Sequence, residues 1–174
     1  KYYTLGIKQN DFCNNNVNST KKILEVIKEL PNTPNLIHIS SSVVNSKADD
    51  FYSKSKREQE ELVIASGIPC YILRPTLMFG WFDRKHLGWL SRFMSKVPIF
   101  PIPGSGNYIR QPLYAGDFCR IIVKCIESKI PKKTYNISGQ ERIYYIDIIK
   151  YIKKVNGSRT LIIRIPYIVF SILL

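Results

Sequence analysis

Two short apolar runs with one helix-sized segment between them constrain this chain most. "NLIHIS" (Asn35–Ser40) and "CYILRP" (Cys70–Pro75) are too short for helices and read as buried strands. Between them, Tyr52 to about Ser66 reads as a helix that Gly67 and Pro69 stop. Upstream, Tyr2–Leu5 reads as a further buried strand. "NNNVNSTKKILEVIKEL" spaces Val17, Ile23, Leu24, Val26, Ile27 and Leu30 as a helix does, with asparagines as caps and Pro31 as its end. The order β-α-β-α-β with fully apolar strands predicts a parallel sheet covered by helices on both faces. Such sheets bind ligands beyond the C-terminal ends of their strands. Ser40, Ser41 and Ser42 follow one strand there, and Pro75, Thr76 and Gly80 follow the next.

The second half is rich in Gly, Pro and aromatics. It predicts a helix at "LGWLSRFMSKV", an extended piece and turn at "PIFPIPGSG", and a helix over Asp117–Ser128 with Asp117 as its N-cap. A strand at "KTYNIS" and a helix at "IDIIKYIKKV", closed by Asn156-Gly157, complete it. The division expected is 1–80, the parallel-sheet part, and 81–174, a mixed portion of different character. The Asp117–Ser128 helix is expected to return to the first. "IPYIVFSILL" at the end is too short to span a bilayer and is read as a core or docking segment.

The net charge of +13 (26 Lys+Arg against 13 Asp+Glu) invites a nucleic-acid reading, but the lysines are scattered and form no long block. A solvated basic surface, then anionic small ligands, fit better. Cys13, Cys70, Cys119 and Cys125 form no CxxC and no metal-like cluster with the two histidines; they read as buried free thiols. A signal-peptide pattern is missing at the start. His38, inside an apolar strand, reads as a satisfied core histidine. His86 reads as a solvated loop residue or as part of a substrate-facing segment. Trp81, Phe82 and Trp89 read as core or lid packing.

Within "FYSKSKREQEELV" (Phe51–Val63), Tyr52 and Lys56 stand four apart and share a helix face, while Glu58, Glu60 and Glu61 read as solvated surface. An ammonium beside a phenol stabilises the phenolate. A phenol so tuned can exchange a proton with a carbinol oxygen near neutral pH, with a serine hydroxyl holding that oxygen. The hydride partner must be a cofactor, since no side chain supplies it.

These residues carry a family resemblance. "NLIHISSS…YSKSK…EELVIASGIPCYILRPTLMFG" resembles the short-chain dehydrogenase/reductase superfamily in its NAD-dependent epimerase/dehydratase branch, extended or atypical. "NNNVNST" resembles that branch's Asn-Val-x-Gly-Thr helix start at Asn16, Val17 and Thr20, with Ser19 in place of glycine. "RQPLYAGDFCRII" and "YNISG" resemble later segments in the family's order. The resemblance implies a Rossmann-like doubly wound parallel sheet lacking its first strands, with a small C-terminal α/β substrate-binding portion. It implies a nucleotide-sugar epimerase, dehydratase or reductase that uses NAD or NADP.

By position, Tyr52 would be the general acid/base and Lys56 would tune it and bind the nicotinamide ribose. Ser41, or Ser42 in the alternative register, would hold the substrate oxygen. Leu5, Gly6, Ser40, Pro75 and Thr76 would lie against the cofactor, and Arg110 and His86 would face the substrate. The partner expected is a nucleotide sugar, with a homodimer as a further expectation; neither nucleic acid nor an integral membrane span is expected, and the location expected is cytoplasmic. The family's glycine-rich phosphate loop is not in the sequence, and the chain opens without Met. N-terminal truncation, with weak dinucleotide binding by the piece itself, is therefore expected. The eleven residues from Ser41 to Tyr52 are fewer than extended members have, which keeps a non-catalytic NAD(P)-binding module as the alternative.

Overall fold

The computed structural model describes residues 9–127 and 131–172. The expected strand at Tyr2–Leu5, with Leu5 and Gly6, lies outside them. Helix α1 (Gln9–Phe12) runs through a π-helical stretch (Cys13–Asn18) into α2 (Ser19–Glu29), and β1 (Leu36–Ile39) follows. A 3₁₀ turn (Ser42–Asn45) leads to α3 (Phe51–Ala65), β2 (Cys70–Pro75), β3 (Met78–Phe79) and α4 (Leu87–Met94). Then come β4 (Ile99–Pro103), β5 (Ile109–Arg110), β6 (Leu113–Tyr114), α5 (Ala115–Glu127) and β7 (Thr134–Ile137). The chain finishes with β8 (Ile143–Tyr144), α6 (Tyr145–Val155), β9 (Leu161–Ile165) and α7 (Tyr167–Ile172).

The fold is α/β and divides into two compact units. One takes the chain up to Thr76 with Phe118–Ile137; the other takes Leu77–Asp117 with the chain from Ser138 on. Among the described residues, the first unit holds a parallel three-stranded sheet in the order β1-β2-β7. Leu36 pairs with Cys70 and Ile39 with Leu73, while Ile72 pairs with Thr134 and Pro75 with Ile137. The central strand is the most buried, with Leu73 fully so. Leu24 of α2, Val63 of α3 and Ile72 of β2 form a core cluster on one side.

Helix ends follow local chemistry. Leu30 is extended (φ −73°, ψ 138°), as a residue before proline must be, so α2 stops there. The Asp50 carboxylate accepts from the Ser53 amide and caps α3. Gly67, at φ +70°, takes the left-handed position that closes that helix.

In the second unit, Leu90 and Met94 of α4, Phe100 and Ile102 of β4, and Ile146 and Ile149 of α6 form the core. β4 pairs in parallel with β9, and the buried Thr160 hydroxyl donates to the Met94 carbonyl (2.5 Å), satisfying an end of α4.

Four expectations need correction. α5 begins at Ala115, so Asp117 is a first-turn acid at the positive end of the helix and not its cap. Of the cysteines only Cys125 is buried; Cys13 and Cys70 are half-buried and Cys119 is exposed. Trp81 and Phe82 are 83% and 91% exposed rather than core. Within the final apolar segment Tyr167–Ile172 form a short helix whose Tyr167, Ile168 and Val169 are exposed, so it is not core and only the docking reading is left. Among the described residues, no helix is long and apolar enough to cross a membrane.

Because Leu73 is fully enclosed at the centre of the sheet, Leu73→Ala is expected to lower unfolding free energy by about 2–5 kcal/mol. Urea denaturation followed by circular dichroism measures it.

Candidate functional site

The site begins where the sheet ends. The Ser40 amide donates to the Leu73 carbonyl (2.8 Å), so Ser40 is still tied to β2, and Ser41 and Ser42 lie just beyond the pairing. The Ser41 hydroxyl caps the 3₁₀ turn by accepting from the Val43 amide (3.3 Å); Ser42 opens that turn. Both serines are half-buried. On β2, Pro75 is buried and the Thr76 amide donates to Ile137 (2.9 Å).

Helix α3 brings the other groups to the same rim. Tyr52 stands in its first turn, half-buried, with its ring edge-on to Phe12 at 6.3 Å between centroids. One turn on, the Lys56 ammonium donates to the Ile39 carbonyl (3.1 Å) at the end of β1 and to Gln59 Oε1 (2.9 Å). Gln59 in turn donates to the Thr20 hydroxyl of α2 (2.6 Å). Burial pulls the Lys56 ammonium below its usual pKa, against the opposing pull of the Glu60 carboxylate. The Asn16 amide of the π-helical stretch donates to the buried Ser55 hydroxyl (2.9 Å), which donates to the Tyr52 carbonyl (2.9 Å).

Beneath lies a buried polar cluster that the sequence reading missed. Glu60, expected as solvated surface, is only 4% exposed. The Ser40 hydroxyl donates to its Oε2 (2.5 Å), and Arg74 Nε lies 3.1 Å from both carboxylate oxygens, with Nη2 making the ion pair. Burial pushes the Glu60 carboxyl up, but hydrogen bonds from Arg74 and Ser40 and the Arg74 charge outweigh it and hold the group below its ordinary value. The carboxylate is therefore ionised and paired, and removing one partner costs about 3–5 kcal/mol. A signal existed: Ser53, Lys56, Glu60 and Val63 recur at seven-residue helical spacing, and three of them are buried.

The first unit thus gathers Ser40, Ser41, Ser42, Tyr52, Lys56, Pro75 and Thr76 at the C-terminal ends of its strands. The Ser40 hydroxyl is committed to Glu60. Arg110 and His86 belong to the second unit. Arg110 is exposed, and its guanidinium lies 4.8 Å over the Tyr108 ring, which stacks on Tyr145. Burial, with Tyr145 and Tyr167 nearby, pushes the Tyr108 phenol up to about 12 against the pull of Arg110. His86 is exposed before α4, where the Asp83 carboxylate accepts from the amides of Lys85, His86 and Gly88. No group of metal-ligating side chains occurs among the described residues.

Comparison with known proteins gives the family and the fold. Residues 6–138 match a family model described as "NAD dependent epimerase/dehydratase family". dTDP-glucose 4,6-dehydratase of Escherichia coli is 28% identical over 110 residues, which are 60% of this chain and 30% of that protein. The crystal structure of UDP-glucuronic acid 4-epimerase from Bacillus cereus in complex with NAD superposes with a TM-score of 0.78 at 25% identity, over 90% of this chain and 58% of that one. dTDP-glucose 4,6-dehydratase from Bacillus anthracis in complex with NAD gives 0.76 at 20% identity, over 93% and 59%, and speaks for the fold alone. The chain spans less than two thirds of the length of each of these relatives.

His38 was expected to be satisfied and is not: it is 8% exposed and its Nε2 has no hydrogen-bond partner. Burial, then the charge of Lys56, lowers its pKa from 6.5 to about 4, with Glu60 opposing. Below pH 6.5 the unfolded chain takes up this proton before the folded one does. Stability is therefore expected to fall as pH drops from 6.5 to about 4, by about 3 kcal/mol in all. The loss from Glu60 sets in as pH falls through the ordinary carboxylate range, where the unfolded group takes up its proton, and continues below it until the folded group does so too. Denaturation midpoints across that window should flatten in His38→Leu.

Proposed function

The chain belongs to the NAD-dependent epimerase/dehydratase family, and from that membership we propose that its protein is an enzyme interconverting nucleotide sugars by a Ser-Tyr-Lys mechanism. The observation that carries the reading is the Lys56 ammonium. It is anchored on the carbonyl that ends β1, one helical turn from Tyr52, beside the Ser41–Ser42 turn.

The residues present fit a nicotinamide dinucleotide. Two of the three N–H bonds of Lys56 go to Ile39 and Gln59, which leaves one to donate to a ribose hydroxyl. Bound NAD or NADP supplies the hydride acceptor and donor. Pro75 and Thr76, where β2 ends, would flank the nicotinamide, with Leu5 and Gly6 along the dinucleotide. Ser40 contributes through its backbone, its hydroxyl being held by Glu60.

Tyr52 takes the proton from a sugar hydroxyl as that carbon is oxidised and returns it when the carbonyl is reduced. Ser41, with Ser42 as the alternative, donates to the same oxygen and orients it. Lys56 stabilises the phenolate by its charge. In the second unit, the forked Arg110 guanidinium suits a diphosphate oxygen, and His86 is assigned to the same substrate. A nucleotide sugar is the substrate class that the names of the relatives share.

In the full-length protein with UDP- and dTDP-sugars and NAD, product formation followed by NMR should drop roughly 10²–10⁴-fold in Tyr52→Phe, with thermal stability unchanged. Turnover that survives this substitution rejects the assignment. Lys56→Met removes the charge that favours the phenolate, so the rise of rate with pH should move upward by roughly one to three units.

A further inference from the structure

The six-residue segment Ser40–Asn45 carries both candidate serines, and one ion pair holds it at its two ends. At the first end, the Ser40 hydroxyl donates to Glu60 Oε2 (2.5 Å). At the other, Arg74 engages Glu60 through Nε and Nη2 while its Nη1 donates to Asn45 Oδ1 (3.0 Å). The Asn45 amide passes the restraint on to Asn136 Oδ1 of β7 (2.9 Å). Glu60 lies on α3 itself, one turn beyond Lys56 and two beyond Tyr52.

We propose that Glu60 and Arg74 are positioning residues, a clamp that fixes the Ser41–Ser42 turn against helix α3 and so sets where the serine hydroxyls stand relative to Tyr52. The inference rests on the nucleotide-sugar reading for its catalytic consequence, though not for the clamp itself. Three features favour this role over one of stability alone. A buried carboxylate with a half-buried guanidinium is costly to desolvate, and well-packed apolar residues commonly replace buried pairs with no loss of stability. The side-chain bonds to Glu60 and Arg74 run to the two ends of the serine segment, while turn bonds hold its interior: Val43 N to Ser41 Oγ, Val44 N to Ser41 O, and Ser46 N and Oγ to the Val43 carbonyl. The role also needs a fork: one arm holds Glu60 while another reaches Asn45, a geometry that the single ammonium of lysine cannot reproduce.

The test uses the full-length protein with Asn45→Ala, Arg74→Lys and both together. Asn45 is exposed, so its truncation leaves the fold intact should Arg74→Lys fail to fold. Hydrogen exchange at the Val43 and Val44 amides should quicken about tenfold in Arg74→Lys, which loses one restraining bond, and at least as much in Asn45→Ala, which loses two. kcat should fall about tenfold, with KM and dinucleotide affinity unchanged. The double variant should be no worse than Asn45→Ala, because Arg74 reaches this end of the turn through Asn45.

Unchanged exchange in Asn45→Ala overturns the clamp. Faster exchange with unchanged kcat overturns the positioning role. If the unsubstituted protein turns over no nucleotide sugar, the functional reading fails instead, and exchange alone then decides whether the clamp stands.

Discussion

The buried Glu60 carboxylate is the constraint on which the rest of the first unit turns. A charge in that position stays ionised only if its lone pairs are filled, and two elements fill them: the hydroxyl at the end of β1 and the guanidinium of β2. That requirement fixes the rotation of α3 about its axis. Once Glu60 points inward, Lys56, one turn earlier, must lie along the C-terminal edge of β1, where the Ile39 carbonyl receives it. Tyr52, a further turn toward the helix start, is then carried to the rim. Packing from apolar area alone would locate the helix without choosing this face, because Val63 is the one apolar residue that α3 buries fully.

Much of this frame is legible in the residues. β2 falls on Cys70–Pro75 as expected, and α3, α2 and α6 lie within a few residues of their expected bounds, because long apolar periodicity and strong stop signals define them. The two-residue strands β3, β5, β6 and β8 carry no such mark: a pair of residues has no period, and their pairing depends on segments distant in sequence. α5 begins two residues before Asp117 because Ala115 and Gly116 continue the backbone from β6 directly into the helix, which bypasses the side-chain cap.

The candidate site was legible in its reactive groups and not in its support. Tyr52, Lys56 and the serines stand out by spacing, whereas Glu60 sits in a run of charged letters that reads as solvent-facing. The spacing with Ser53 and Val63 marks the inward face, but the partners that make its burial tolerable, Arg74 and Ser40, stand 14 and 20 residues away, where no local pattern announces them. His38 was misjudged for a related reason. An apolar strand correctly implies burial, but satisfaction of a buried ring nitrogen depends on atoms from α3, and there the neighbouring groups are a cation and an already paired carboxylate.

The same arrangement explains why the polar groups under the rim do not compete with one another. His38, Lys56 and Glu60 lie close enough to shift each other's protonation, yet their shifts are mutually consistent: a neutral imidazole, an ammonium with a lowered pKa and a firmly ionised carboxylate. Protonating His38 would set a second cation beside Lys56, and protonating Glu60 would leave the Arg74 guanidinium without its partner. Around neutral pH neither occurs, so a single charge state prevails beneath the serine turn. A fixed charge state fixes the hydrogen bonds, and fixed hydrogen bonds keep the turn in one conformation. The proton transfer proposed for Tyr52 would need that constancy, because its donor and acceptor must meet within a few tenths of an ångström.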